Sequence, residues 1–301
     1  MSGQGAATAE WARHQERGSL PLYRLIVWLS LALGRAPARV IVRVAMLYFL
    51  VFGGRAGRAS REYLARCLER RPTLRERYRH IVTFASTVHD RIFLLRDRFE
   101  LFELQVHGAE CFDERGAFLM GSHLGSFEAL RAAGRSLGQR RVAMAMYEEN
   151  APKMNAALAA VAPHLQADIV PLGRLEAMLE LQARLEQGAL VGVLADRTLP
   201  GDAQGTIECD FLGRPARFPL GPMRMAAALR ARVIFMTALY RGGNRYEIHF
   251  EPLVDFSDAQ GARAERDARV REAVRAYVAR LERHARSAPD NWFNFYPFWA
   301  P

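Results

Sequence analysis

An imidazole and a carboxylate five positions apart carry the clearest chemistry in this chain: His123 and Glu128, in the stretch Gly116-Ala-Phe-Leu-Met-Gly-Ser-His-Leu-Gly-Ser-Phe-Glu128. The apolar run ends at Gly121-Ser122 and His123 follows it. Gly125 allows a tight turn, Ser126 is a good N-cap, and Glu128 falls in the first turn of the helix that should follow. A strand end and a helix start meeting here bring the two side chains together. A carboxylate on Nδ1–H fixes the imidazole tautomer and leaves Nε2 as a base. Such a pair suits removal of a proton from an acceptor hydroxyl for attack on a thioester. A G-x-S-x-G elbow is absent, because Met120 and Leu124 stand two positions before Ser122 and Ser126. H-E-x-x-H is absent as well. By spacing alone, a His–Glu pair is more often structural than catalytic, and both readings stand at this point.

The elements that must position this pair are legible from periodicity. From about residue 101, short apolar runs alternate with helical stretches. The runs are Leu101–Val106, Ala117–Ser122, Val142–Met146, Ile169–Pro171, Leu190–Ala195, Val233–Tyr240 and Tyr246–Phe250. The helical stretches are Phe127–Leu137, Lys153–Ala162, Leu175–Gln187 and Pro222–Ala231, with a last amphipathic helix through Val270, Val274, Tyr277, Val278 and Leu281 that ends before Pro289. This alternation predicts an α/β fold with a mostly parallel sheet flanked by helices. Upstream, Thr73 and Glu76 form a capping box, and Leu74, Tyr78, Ile81, Ala85, Val88, Ile92 and Leu95 make one apolar helical face. His80, His89 and Asp90 on that helix read as satisfied or polar-face residues, because no third metal ligand falls at suitable spacing. Cys67, Cys111 and Cys209 are far apart and odd in number, so neither a disulfide framework nor a zinc knuckle is expected.

The net charge is +10, and its distribution says more than its size. Residues 1–100 hold 18 arginines against eight acidic residues, whereas residues 101–301 balance at 24 of each sign. The basic third is also the most apolar: Leu20–Leu33 is interrupted only by Arg24, and Val40–Phe52 only by Arg43. Neither is a charge-free run of about 18 residues, so neither reads as a spanning helix. Flanked by Arg35, Arg39, Arg55, Arg58 and Arg61, these segments suit helices lying in an anionic membrane interface; two buried core helices with solvated arginines are the alternative. Charge that coincides with apolar sequence, without a recognised motif, argues against nucleic acid. The division expected is a flexible 1–19, a helical membrane-binding 20–100 and an α/β portion over 101–301. The six aromatics in residues 291–299 either close the core or line an acyl-chain groove.

His123-Leu-Gly-Ser-Phe-Glu128 resembles the H-x₄-D/E block of the lysophospholipid acyltransferase superfamily, and its neighbours are most similar to the branch holding the bacterial lipid A late acyltransferases. Further blocks agree in order: Leu194-Ala-Asp196-Arg197, the segment Phe211-Leu-Gly213-Arg-Pro-Ala-Arg217-Phe-Pro219-Leu-Gly221-Pro222, and the tail Pro289–Trp299. The chain departs from the branch at Ser126-Phe127, where Asn-Trp is common, at Asp196-Arg197, where Asp-Gln is common, and in the tail.

The resemblance implies a glycerolphosphate-acyltransferase-like fold and acyl transfer without a covalent enzyme intermediate. His123 would be the general base and Glu128 its orienting partner. Ser126, Arg197, Gly213 and Arg214 would bind substrate; Arg197 would hold a phosphate or help the oxyanion, with a salt bridge to Asp196 as its alternative role. Arg140 and Arg141 would dock an acidic acyl carrier protein or coenzyme A phosphates, or form a solvated edge. No cofactor or metal is implied. The donor would be an acyl carrier protein or coenzyme A thioester. The acceptor would be a hydroxyl or amine of a lipid or glycolipid at the cytoplasmic face of the bacterial inner membrane. An acyl thioesterase using the same pair and a non-catalytic membrane adaptor are the competing functions.

Overall fold

The computed structural model describes residues 20–136, 142–147, 169–172, 175–198, 205–258 and 262–299. The expected helix Lys153–Ala162, Arg140, Arg141 and residues 1–19 lie outside them. Four helices come first: α1 (Leu20–Leu33), α2 (Arg35–Phe52), α3 (Gly54–Cys67) and α4 (Leu74–Leu94). The capping box forms as its residues dictate. Thr73 Oγ1 accepts from the Glu76 amide at 3.3 Å, and Glu76 Oε2 accepts from the Thr73 amide at 2.7 Å.

All seven expected strands form, and they make one sheet: β1 (Glu103–His107), β2 (Ala117–Gly121), β3 (Val142–Tyr147), β4 (Ile169–Leu172), β5 (Leu190–Leu194), β8 (Arg232–Tyr240) and β9 (Arg245–Asp255). The order is β1-β9-β8-β2-β5-β3-β4, and every pairing is parallel except β8 with β9. A turn of Arg241–Asn244 makes that exception, because Gly242 and Gly243 both hold positive φ. A separate antiparallel hairpin, β6 (Thr206–Phe211) and β7 (Arg214–Pro219), turns on Leu212 and Gly213, both at positive φ. Helices α5 (Phe127–Ser136), α6 (Leu175–Glu186), α7 (Gly221–Ala228) and α8 (Arg263–Ser287) are the remaining α-helices among the described residues.

The sheet has a core on each face. On one, Phe118, Val191 and Phe235 pack with Leu181 of α6, Tyr277 and Leu281 of α8, Phe211 of the hairpin and Trp292 of the tail. Tyr63, Leu64 and Cys67 of α3 belong to the same core, so the first hundred residues are not merely an appendage. On the other face, Leu119, Ile234 and Ile248 pack with Ala129 and Ala133 of α5 and Ile92 and Phe93 of α4.

Two sequence expectations change. The apolar stripe of α4 is only partly covered, with Leu74 67% and Val88 43% exposed, while His80, Thr83 and Asp90 are buried. The polar face turns inward because other elements satisfy it: Ser60 and the Trp292 carbonyl meet His80, and Asp290 meets Thr83. Arg35 and Arg39 do not face outward either. They converge with Tyr246 on the buried carboxylate of Asp90 and so tie α2 to α4 and to β9.

Candidate active site

Register brings two strand ends together. In the parallel pair β2/β5, Gly121 lies opposite Leu194, so His123 and Asp196, each two residues further on, arrive side by side. Asp196 Oδ1 accepts from His123 Nδ1 at 2.8 Å, and Oδ2 accepts from the His123 amide at 3.0 Å and from Trp292 Nε1 at 3.0 Å. The carboxylate meets the imidazole in two places and is braced by an indole from the tail.

The loop carrying His123 is pinned along its length. Thr237 Oγ1 donates to Leu124 O, the Ser126 amide to Ala238 O, and the Gly125 amide to Asn291 O. The Phe293 amide donates to the His123 carbonyl at 2.8 Å. Gly125 is required here: its φ is +80°, and a Cβ would lie 1.9 Å from the Ala238 carbonyl oxygen.

Charge decides the protonation states. Burial would raise the Asp196 carboxyl, but His123 and Arg197 together hold it well below the usual carboxylate range. Burial pushes the His123 imidazole below its ordinary value; Asp196 opposes this and Arg197 adds to it. An ionised Asp196 has only acceptors to offer, so Nδ1 carries the proton. Nε2 is then a lone-pair base, and among the described residues no group hydrogen-bonds to it. The His123 side chain keeps 29% exposure, so that nitrogen is reachable.

Glu128 does not take the place expected for it. Its Oε1 pairs with Arg91 Nε of α4 at 2.6 Å, and no hydrogen bond or ion pair joins it to His123 among the described residues. A helix start one turn beyond the loop aims the side chain at the neighbouring helix, whereas the adjacent strand delivers Asp196 directly. Ser126 is 3% exposed and caps α5, its Oγ accepting from the Ala129 amide at 3.3 Å. Arg197 forms no ion pair with Asp196. Its guanidinium lies 5.2 Å from the centre of the Tyr296 ring and donates to the Phe293 carbonyl at 3.4 Å. Gly213 and Arg214 sit at the β6–β7 turn, and no contact joins them to His123 or Asp196 among the described residues.

Trp292 is the residue the sequence reading undervalued. It is 1% exposed, packs edge-on against Tyr63, Phe211 and Phe298, and spends its one donor on Asp196. The aromatic tail is therefore a core clamp that also braces the carboxylate bonded to His123. The signal available was the asparagine before it: Asn291 Oδ1 accepts from the Tyr240 amide and Nδ2 donates to the Tyr240 carbonyl, which seats the tail on β8.

An α/β frame that presents a neutral, carboxylate-held imidazole at adjoining strand ends suits an enzyme that takes a proton from a nucleophile. The chain belongs to the bacterial lipid A biosynthesis acyltransferase family, which it matches over residues 25–300. It is an acyltransferase of lipid biosynthesis, and membership brings with it a lipid acceptor, an acyl thioester donor and an association with membranes. The structure is similar to the 1-acyl-sn-glycerophosphate (LPA) acyltransferase PlsC from Thermotoga maritima, with 15% identity, 82% of this chain and 99% of that chain covered, and a TM-score of 0.35. No curated protein matches the chain.

Proposed function

We propose that this protein moves a fatty acyl group from an acyl carrier protein or coenzyme A thioester to a hydroxyl of a lipid or glycolipid, with His123 as general base held by Asp196. The carrying observation is the Nδ1–Oδ1 contact of 2.8 Å, which leaves Nε2 free at an accessible strand end. Nε2 takes the acceptor's hydroxyl proton as its oxygen attacks the thioester carbonyl. The tetrahedral intermediate expels the thiolate, which recovers that proton from Nε2 as the free thiol. No enzyme-bound acyl group forms. An amine acceptor would use the same base in the same way. Arg197 faces a phosphate of either substrate or the developing oxyanion, and its positive charge beside His123 supports that role. Glu128 braces Arg91 and positions α5 under the loop.

The enzyme works at the cytoplasmic face of the bacterial inner membrane. Support comes from an exposed apolar stripe on α2, at Val40, Ile41, Val44, Leu47, Tyr48, Val51 and Phe52, followed by the exposed Arg58 and Arg61 of α3. Among the described residues no single helix is long and apolar enough to cross a membrane, although α2 and α3, bent by 92°, pass by length and composition as a pair. An interfacial helix fits the stripe without requiring a span.

The test is thioester turnover by the wild type and by His123→Ala, with and without lipid acceptor. The proposal expects acyl transfer that needs the acceptor and falls by at least about 100-fold in the variant. Thioester cleavage that ignores the acceptor would make the protein a thioesterase. Full activity in a folded His123→Ala would remove the base, and with no turnover at all the adaptor reading would replace the enzyme.

A further inference from the structure

A second group of titratable side chains lies on the far side of β8 from His123, at the edge of the sheet. His107 ends the edge strand β1 and stands directly opposite His249 of β9, their rings stacked with centroids 4.8 Å apart and planes within 13°. Glu247 is two residues before His249 on β9 and therefore on the same face. Its Oε1 is 3.5 Å from His107 Nε2 and 3.5 Å from His249 Nε2. The three donor atoms all lie within 4.8 Å of one another.

The two separations from Glu247 are too long for hydrogen bonds and close to those between ligands of one cation; the two rings, stacked with planes 13° apart, turn towards each other to share it. An N–H···O bond spans about 2.7–3.2 Å. Donors held at about 2.0–2.1 Å from one tetrahedral ion stand roughly 3.4 Å apart. His249 Nε2 is buried and has no hydrogen-bond partner, an unusual state for a ring nitrogen. The Arg241 guanidinium bonds the other oxygen of Glu247. Oε1 is left facing both ring nitrogens and is oriented by an outer partner, as metal-ligating carboxylates are.

We propose that His107, Glu247 and His249 bind one divalent transition-metal ion, with zinc preferred for its two imidazoles, one carboxylate and tetrahedral geometry. The fourth position faces solvent beside the exposed His107 and takes a water. The ion staples the end of the edge strand β1 to β9. Its three ligands come from positions 107, 247 and 249, so no local spacing announces them. The site shares no residue with the His123 centre, and the acyl-transfer reading does not depend on it.

The test is zinc binding by the chelator-stripped full chain, measured by competition with a chromogenic chelator, alongside thermal unfolding with and without zinc. The wild type should bind one ion tightly and gain several degrees of thermal stability from it. His107→Ala, at an exposed position, and Glu247→Gln should each weaken that ion by more than about 10-fold and abolish the gain. Circular dichroism of both variants should match the zinc-free wild type. Absence of zinc uptake by the wild type, or equal uptake and equal stabilisation in both variants, would overturn the assignment.

Discussion

As the proposed base, with Nδ1–H committed to Asp196, His123 works only while Nε2 is unprotonated. Burial and Arg197 hold the imidazole below its ordinary value of 6.5 despite the pull of Asp196. The active, neutral form is therefore fully populated above that value and is lost as pH falls through the lowered one. The acid limb of kcat/KM should accordingly show an apparent pKa under 6.5; a limb at or above 6.5 would mean that another group titrates. The His123 block was legible because its chemistry is local: strand end, glycine turn, capping serine. The carboxylate it bonds was not, because Asp196 is 73 residues away and meets His123 only through the register of β2 with β5. The clue was present in Leu194-Ala-Asp196, another apolar run ending on a carboxylate two residues past a strand. What the sequence could not supply was that these two strands are neighbours.

Among the elements, α4 joins the others. Its inner face carries Asp90, fully buried and met by Arg35, Arg39 and Tyr246. Removing one member of such a group strands the charges left behind. Asp90→Ala should therefore cost about 3–5 kcal/mol of stability in denaturant unfolding; a loss under about 1 kcal/mol would mean that the cluster behaves like a surface pair. The amphipathic pattern misled here, because it assumes that the apolar stripe is the buried one. In α4 the buried His80, Thr83 and Asp90 are satisfied by distant partners, a compensation that no window of periodicity contains, whereas the ring nitrogens of the buried His89 have no hydrogen-bond partner among the described residues. The β6–β7 hairpin was missed for a related reason: Thr206–Pro219 lacks a clean alternation, and its turn pairs Leu212 with Gly213 rather than showing a stock dipeptide. The seven sheet strands were readable because each is a short apolar run between turn residues.

At the scale of the whole molecule, charge and apolar surface coincide. The excess of arginine over acid lies in the first hundred residues, where α2 shows its exposed stripe. The structure refines that reading: Arg35 and Arg39 serve the interior, whereas Arg58 and Arg61 are exposed. The protein should float with anionic vesicles at low salt and release as salt screens the contact. Val44→Glu and Val51→Glu, at positions 63% and 72% exposed, should weaken flotation without unfolding the chain. A wild type that stays in the soluble fraction at low salt would contradict the interfacial placement. Such a placement would bring a lipid hydroxyl to an enzyme whose chemistry lies on the same body, since α3 and α4 both hold the tail that braces Asp196.

The most direct measurement sets two carboxylates against each other: kcat/KM for acyl transfer in Asp196→Asn and Glu128→Gln, each verified as folded. Asp196→Asn removes the charge that holds the Nδ1–H tautomer and should lose about 10²–10⁴-fold. Glu128→Gln keeps a side chain that can still accept from Arg91 and should stay within about 10-fold of wild type. The reverse order, with Glu128→Gln crippled and Asp196→Asn near wild type, would contradict the account.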